Sequence, residues 1–233
     1  MSTTMVVAEA HAARSRVFVG IVVGIQLVVA VVIAVGNGIA KAPDPVTQSV
    51  WELPGVLWIR YPLIGAGAAI SGMLVNHVVH GITRRQYLRG SAVYGVGICA
   101  FVAAVGVLGY AAERLVYGLG GWETDIVNQS VLQMFVTYVL LLGAYVVTGA
   151  LFAAVYMRFS PYRATLLLLP LLVPMAATEA LLATWWVGVA LDADRPQPVP
   201  FAAGAPLTVV VLALASWALF LLLRDVAIKT KKG

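Results

Sequence analysis

The amino-acid sequence predicts an all-α membrane protein with six transmembrane helices, on three observations. Hydrophobic residues make up 61% of the 233 residues and charged residues only 11%, whereas soluble domains carry about 25% charge. The mean hydropathy is +0.94. The charges are clustered so that six long apolar stretches remain, and Glu179 is the one charged residue inside them. Such a chain belongs in a lipid bilayer, where helices satisfy their own backbone groups.

The six predicted helices, in order, cover residues 17–39, 61–79, 91–112, 131–157, 164–190 and 203–223. Each has about the ~20 residues that a helix needs to cross ~30 Å of hydrocarbon. The first stretch follows Arg14 and Arg16, as a signal peptide would, but it exceeds the ~15 residues of a signal-peptide core. We therefore expect a retained first helix, with an N-terminal segment 1–16, a transmembrane domain 17–223 and a basic tail 224–233.

The positive residues predict the orientation of these helices. With a cytoplasmic N-terminus, 11 of the 15 Lys and Arg residues fall on inner segments. The four expected outside are Lys41, Arg60, Arg114 and Arg195. This asymmetry agrees with the positive-inside rule, so both termini are expected to be cytoplasmic.

Small residues four positions apart predict where the first two helices approach their neighbours. The pairs are Gly20 with Gly24, Gly65 with Ala69, and Ala68 with Gly72. Side chains of this size allow close helix packing in membranes. The pattern carries no information about a substrate.

Several kinds of chemistry are absent from the sequence. No Gly-Lys pair occurs, so the chain builds no phosphate-binding loop and is not expected to hydrolyse ATP alone. The single cysteine, Cys99, excludes an intrachain disulfide. His77 and His80 share a helix face but lack a third ligand, so no metal site is expected. No basic block with interleaved aromatic residues suggests nucleic-acid binding, and no catalytic residue is predicted.

The inner connection after the second helix, residues 80–90, is the first informative segment, and we call it the basic turn. Thr83 and Gln86 have the spacing of a capping box, which predicts a helix that begins near Arg84. Gly81 suits a sharp turn just before it. Two arginines in the first turn of a helix cost a few tenths of a kcal/mol each. Either orientation and lipid phosphates account for them, or Arg84, Arg85 and Tyr87 are presented to an acidic cytoplasmic partner.

The segment Gly-Ile-Thr-Arg-Arg-Gln-Tyr at residues 81–87 resembles the loop after the second helix in membrane subunits of bacterial type 2 ATP-binding-cassette (ABC) exporters. The resemblance implies a half-transporter in the bacterial inner membrane, in which this loop rests on a separate ATPase. The implied coupling residues are His80, Gly81, Thr83, Arg84, Arg85, Gln86, Tyr87 and Arg89. Residues 1–16 would correspond to an N-terminal elbow helix.

The same resemblance implies the partners and the cargo. Two ATPase subunits would carry ATP and Mg, with no cofactor on this chain, and a second permease copy or homologue would complete the transporter in membrane lipid. The cargo would be a hydrophobic or amphipathic compound such as a drug, a peptide antibiotic or a lipid, so antibiotic resistance is one expected role.

The fifth helix is the second informative segment, because its sequence places Glu179 near the middle of the bilayer or somewhat outward of it. A carboxylate there costs about 2.5–3.5 kcal/mol on insertion scales and normally faces protein, water or substrate. Pro170 and Pro174 precede it and predict a kink. Glu179, Thr178, Gln133 and Thr137 are our candidates for a substrate pathway. Alternatively, Glu179 is protonated and bonds to a neighbouring helix, or the helix is broken and places Glu179 at the outer interface.

Two other functions stay open at this stage. A gradient-driven transporter would use Glu179 as a titrating group, although the two halves of the sequence show no convincing internal repeat. A membrane scaffold without transport activity would need neither the basic turn nor Glu179.

Overall fold

The computed structural model describes residues 3–39, 53–120, 130–182 and 199–224. These residues form helices α1 (Thr3–Ile39), α2 (Leu53–Gly72), α3 (Leu74–Val79), α4 (Arg84–Gly120), α5 (Val131–Arg158), α6 (Pro161–Leu171), α7 (Val173–Leu181) and α8 (Phe201–Arg224). Within the described ranges, six helical segments are long and apolar enough to cross a membrane. The predicted all-α fold with six spanning helices is confirmed, and the chain is a multi-pass membrane protein.

The N-terminal segment differs from the expectation. Residues 3–16 are the first turns of α1, which continues without interruption to Ile39. The separate elbow helix implied for residues 1–16 is therefore wrong for the described part of that segment. The sequence explains the difference, because no proline precedes Pro43 and nothing stops the helix between its charged start and its apolar run.

The second and fifth spans are each made of two short helices. Met73 separates α2 from α3, while the backbone bond from the Met73 amide to the Ala69 carbonyl keeps the two nearly continuous. Leu172 separates α6 from α7. Pro170 and Pro174 flank that break, and each lacks the amide hydrogen that a continuous helix would use. The fifth span is therefore interrupted at the place where the two prolines predicted a kink.

Helix α5 lies at the centre of the protein. In its most apolar stretch 61% of the residues are buried, whereas the other described spans reach at most 33%. Its closest neighbour is α2, and glycine makes this approach possible on both sides. A Cβ added to Gly67 would lie 1.9 Å from the Val146 carbonyl oxygen, and one added to Gly149 would lie 2.0 Å from that of Ile64. The Ser71 hydroxyl donates to the Ala150 carbonyl at 2.8 Å along the same contact.

The glycines that mediate helix packing are not the ones that the four-residue spacing selected. Gly20, Gly24, Gly65 and Gly72 have open space within 4 Å of a built Cβ. Within the part of the chain that the structure describes, these four glycines therefore do not mediate a close helix approach. Spacing shows that small residues share a helix face, but it does not show which face meets a neighbour.

The outer surface is apolar, as a lipid environment requires. Phe101 and Leu108 on α4 and Trp217 on α8 are 54%, 68% and 62% exposed. Side chains of this size are unfavourable in contact with water but match the hydrocarbon of a bilayer.

Candidate functional site

A buried ion pair joins three of the spanning helices. The Arg60 guanidinium on α2 donates to Glu179 Oε1 on α7 at 2.8 Å, and the Tyr145 hydroxyl on α5 donates to the same oxygen at 2.7 Å. The Arg60 guanidinium also lies over the Tyr145 ring, 5.8 Å from its centroid. We call these three residues the Glu179 cluster.

The cluster is shielded from solvent. The exposed fractions are 1% for Arg60, 0% for Tyr145 and 5% for Glu179. Removing two charges from water costs several kcal/mol per ion, and the short contacts offset this cost only while both partners are present. Such a pair is stable as a unit and costly to break.

The packing of α5 against its neighbours positions the three side chains. Tyr145 lies one turn before Gly149, and Arg60 lies two turns before Gly67, so both are on the faces where α2 and α5 meet most closely. On the other side, a Cβ added to Gly204 of α8 would lie 2.4 Å from the Leu181 carbonyl oxygen, which fixes the end of α7. Glu179 follows the break at Leu172 and faces α5.

Two atoms of the ion pair have unused hydrogen-bonding capacity. Arg60 Nε and Glu179 Oε2 are buried and have no hydrogen-bond partner among the described residues, and the same is true of the Thr178 hydroxyl. A buried polar atom without a partner costs about 1–3 kcal/mol. The cluster therefore offers one donor and one acceptor to a polar group, or to a rearranged side chain.

The predicted pathway residues separate into two groups. Thr178 is fully buried next to Glu179 in sequence. Gln133 lies in the first turn of α5, where its amide is capped by the Ser130 hydroxyl. At ~1.5 Å per residue, Gln133 and Thr137 lie about 18 and 12 Å along α5 from Tyr145. The structure does not bring Gln133 or Thr137 to Glu179.

Sequence reasoning missed Arg60 and Tyr145 as partners of Glu179. Arg60 was counted with the outer segment because it precedes the apolar run by a single residue. Glu179 itself is the sequence feature that could have pointed to Arg60. An intramembrane carboxylate needs a partner, and Arg60 is a cation at the edge of a span.

The basic turn is formed as the capping box predicts. The Gln86 amide donates to Thr83 Oγ1 at 3.3 Å, and the Thr83 amide donates to Gln86 Oε1 at 3.1 Å. Helix α4 begins at Arg84, and Gly81 has a φ of 86°, a left-handed conformation that suits glycine. The capping box, the helix start and the sharp turn are confirmed.

The side chains of the turn are not all available to a partner. Tyr87 is 0% exposed, and its hydroxyl donates to the Ile70 carbonyl on α2. The prediction that Tyr87 is presented to a partner is therefore wrong, because its ring is needed inside the protein. His80, Gly81, Thr83, Arg85 and Arg89 are exposed.

Arg84 bonds to another part of the protein. Its guanidinium donates to the Arg224 carbonyl at the C-terminal end of α8, and Arg158 donates to the Leu221 carbonyl at 3.0 Å. Cations are favourable at the negative end of a helix dipole. This contact explains how a cation is tolerated in the first turn of α4.

Aromatic stacking ties the turn to α1. The His11 ring, which is 4% exposed, lies 5.7 Å from the ring of His77 and 5.6 Å from the ring of Tyr87, measured between ring centroids.

The described residues contain no group of three His, Cys, Asp or Glu that could hold a metal ion. His77 and His80 instead bond to the Met73 and Asn76 carbonyls of their own helix.

Neither known protein families, nor curated proteins, nor solved structures give a match to this chain, so family membership is not shown by comparison.

Proposed function

We propose that this protein is the membrane subunit of an ATP-driven exporter of the type 2 ABC class, which moves a hydrophobic or amphipathic compound. A separate ATPase would dock on the exposed tip of the basic turn, formed by His80, Gly81 and Thr83. The observation that carries the proposal is that this tip is exposed while the residues next to it are bonded to three other spans. Such an arrangement suits a surface that receives force and passes it on.

The contacts of the turn define the route for that force. Arg84 bonds to the end of α8, Tyr87 bonds to the Ile70 carbonyl of α2, and the His11 ring packs on His77 and Tyr87. A Cβ added to Gly90 would lie 2.6 Å from the Val7 Cβ, so α1 and α4 are in close contact as well. A displacement of the turn would act on α1, α2 and α4 through their packing and on the end of α8 through the Arg84 hydrogen bond.

The Glu179 cluster is the element that would have two arrangements during transport. It joins α2, α5 and α7 about halfway along α5. Its Arg60 Nε and Glu179 Oε2 atoms have no partner in the part of the chain that the structure describes, which would allow different pairings as the helices shift. Discrete alternative packings of this kind are how small displacements become larger rearrangements.

A single introduced cysteine tests the docking surface. Replacement of Cys99 by Ser gives a cysteine-free background, because it is the one cysteine in the sequence. A photo-crosslinker on His80→Cys should join the protein to an ATPase subunit in its own cells. The same reagent on Leu119→Cys, 81% exposed at the opposite end of α4, is the matched control and should not.

Two measurements complete the test. The crosslinked assembly should hydrolyse ATP, and a membrane-impermeant maleimide should label Leu119→Cys but not His80→Cys in intact cells. The proposal would be refuted if the impermeant maleimide labelled His80→Cys in intact cells, or if the purified assembly had no ATPase activity.

A gradient-driven transporter is the second candidate, and the buried Oε2 of Glu179, which has no hydrogen-bond partner within the described ranges, favours it. The discriminating experiment uses the purified chain in liposomes. Uptake of a hydrophobic amine that is driven by a proton gradient, without any ATPase, would support this candidate over the first. This uptake should be lost in the double variant Arg60→Met, Glu179→Gln.

A further inference from the structure

A groove of about 570 Å³ runs between α4 and α8, which both pack on α5. Val96 and Phe220 line it and are 66% and 42% exposed, so the groove is part of the outer surface that faces lipid. Its volume lies in the range of sites for small organic molecules, about 300–1,000 Å³. Neither the Glu179 cluster nor the tip of the basic turn contributes a side chain to it.

Glycine creates the space in the groove. A Cβ added to Gly95 of α4 would lie 3.9 Å from Val146, and one added to Gly143 of α5 would lie 3.7 Å from Leu212. These are ordinary contact distances, so a methyl group would fit at either position and a larger side chain would extend into the groove. Along α4 the lining extends from Arg85 to Cys99, which is about 21 Å at ~1.5 Å per residue.

The groove is lined mainly by apolar side chains, with Ser91 and Ser216 among them, and it ends in two cations. Arg85 and Arg89 are one helical turn apart, so they lie on the same face of α4. Both are exposed, and neither has a hydrogen bond or an ion pair with another residue of the described ranges. Arg84 and Arg158, at the same end of the protein, are by contrast bonded to the carbonyls of α8.

This arrangement has the polarity of an anionic amphiphile. Arg85 and Arg89 lie in the first turns of α4, at the end of the protein where Arg158 and Arg224 end α5 and α8, and basic residues that cluster at the ends of several spans suit the level of lipid headgroups. Beyond Arg89 the lining on α4 continues to Cys99, about 15 Å at ~1.5 Å per residue, which matches one leaflet of ~15 Å, half of the ~30 Å hydrocarbon core. A phosphate pairs well with two arginines because guanidinium groups form charge-assisted hydrogen bonds with its oxygens.

We propose that the groove is a specific site for an anionic phospholipid, with its phosphate held by Arg85 and Arg89 and one acyl chain lying between α4 and α8. A second copy of the chain fits less well. An apolar helix laid on the groove would remove both guanidinium groups from water without supplying a counter-charge, which is costly. The site is independent of the proposed transport function.

Native mass spectrometry of the purified, delipidated chain tests the site. Phosphatidylglycerol and phosphatidylcholine with the same acyl chains are added at equal concentration. The wild-type protein should retain one phosphatidylglycerol, with roughly 10- to 30-fold weaker retention of phosphatidylcholine, because each cation near the membrane surface contributes on the order of a fivefold preference. Arg85→Gln with Arg89→Gln should abolish the preference.

Two matched controls separate the site from general effects. Arg16→Gln with Arg163→Gln removes the same charge from exposed positions outside the groove and should keep the preference. Gly95→Leu should fill the groove and lower retention of both lipids at least tenfold. Gly97→Leu, on the same helix with nothing within 4 Å of its Cβ, should leave retention unchanged.

Two results would overturn the proposal. One is an equal preference for phosphatidylglycerol in the wild-type protein and in the Arg85→Gln, Arg89→Gln variant. The other is conversion of a dimer to a monomer by Gly95→Leu with lipid retention unchanged, which would show that a second copy covers the groove. Both are read on the chain alone, so they are distinct from failure of ATPase docking.

Discussion

The buried pair of Arg60 and Glu179 should behave as one energetic unit. In Glu179→Gln, Arg60 stays 1% exposed and charged but loses its counter-ion, and its Nε already lacks a partner. Removing one partner of a buried pair costs about 3–5 kcal/mol. We expect the single variants Glu179→Gln and Arg60→Met each to lower the free energy of unfolding by about this amount.

The double variant, Arg60→Met with Glu179→Gln, should be far less damaging than the sum of the two single changes. It leaves no unpaired charge. The amide oxygen at position 179 can still accept a hydrogen bond from the Tyr145 hydroxyl, which in the wild-type protein lies 2.7 Å from Oε1. Replacement of a buried pair by uncharged groups is often close to neutral. We expect a loss of about 0–2 kcal/mol for this double variant.

Denaturant titration of the four proteins in detergent micelles, followed by circular dichroism, measures these differences as a double-mutant cycle. Arg163→Met is the matched control, because Arg163 is exposed on α6, and it should change stability by less than about 0.5 kcal/mol. An interaction energy below about 0.5 kcal/mol, the limit for independent sites, would refute the reasoning.

Three further predictions concern packing and helix ends. Gly67→Ala or Gly149→Ala should lower the melting temperature by several degrees, because the added methyl meets backbone at 1.9–2.0 Å, while Gly65→Ala should leave it unchanged or raise it. Thr83→Ala should cost about 0.5–2 kcal/mol and speed hydrogen exchange in the first turn of α4, and unchanged exchange would contradict the capping role. Arg158→Gln should speed exchange in the last turn of α8, whose Leu221 and Leu222 carbonyls it holds, without affecting the start of α5.

The sequence predicted those parts of the fold that local physics decides. Apolar length located the six spans, the Thr83 and Gln86 pair located the start of α4, and the two prolines located the break at Leu172. Each of these depends on residues that are neighbours along the chain. None needed knowledge of which helix lies next to which.

The contacts between helices could not be predicted in the same way. Gly67 mediates the closest approach of α2, two residues from the glycine that the spacing had selected, because rotation of a helix about its axis is set by all its neighbours at once. The expectation that Tyr87 is exposed failed for the same reason, because the sequence does not show which face of α4 points toward α2. The Arg60 and Glu179 pair spans 119 residues, so only the general need of a buried carboxylate for a partner pointed to it.

The length of α4 has a mechanical consequence. At ~1.5 Å per residue its 37 residues measure about 55 Å, well beyond the ~30 Å of hydrocarbon that it crosses. Pivoting such a rod by 10° about its midpoint swings each tip sideways by about 5 Å, close to the pitch of one helical turn. A modest rocking motion at one membrane face is thereby delivered at the other without bending the helix.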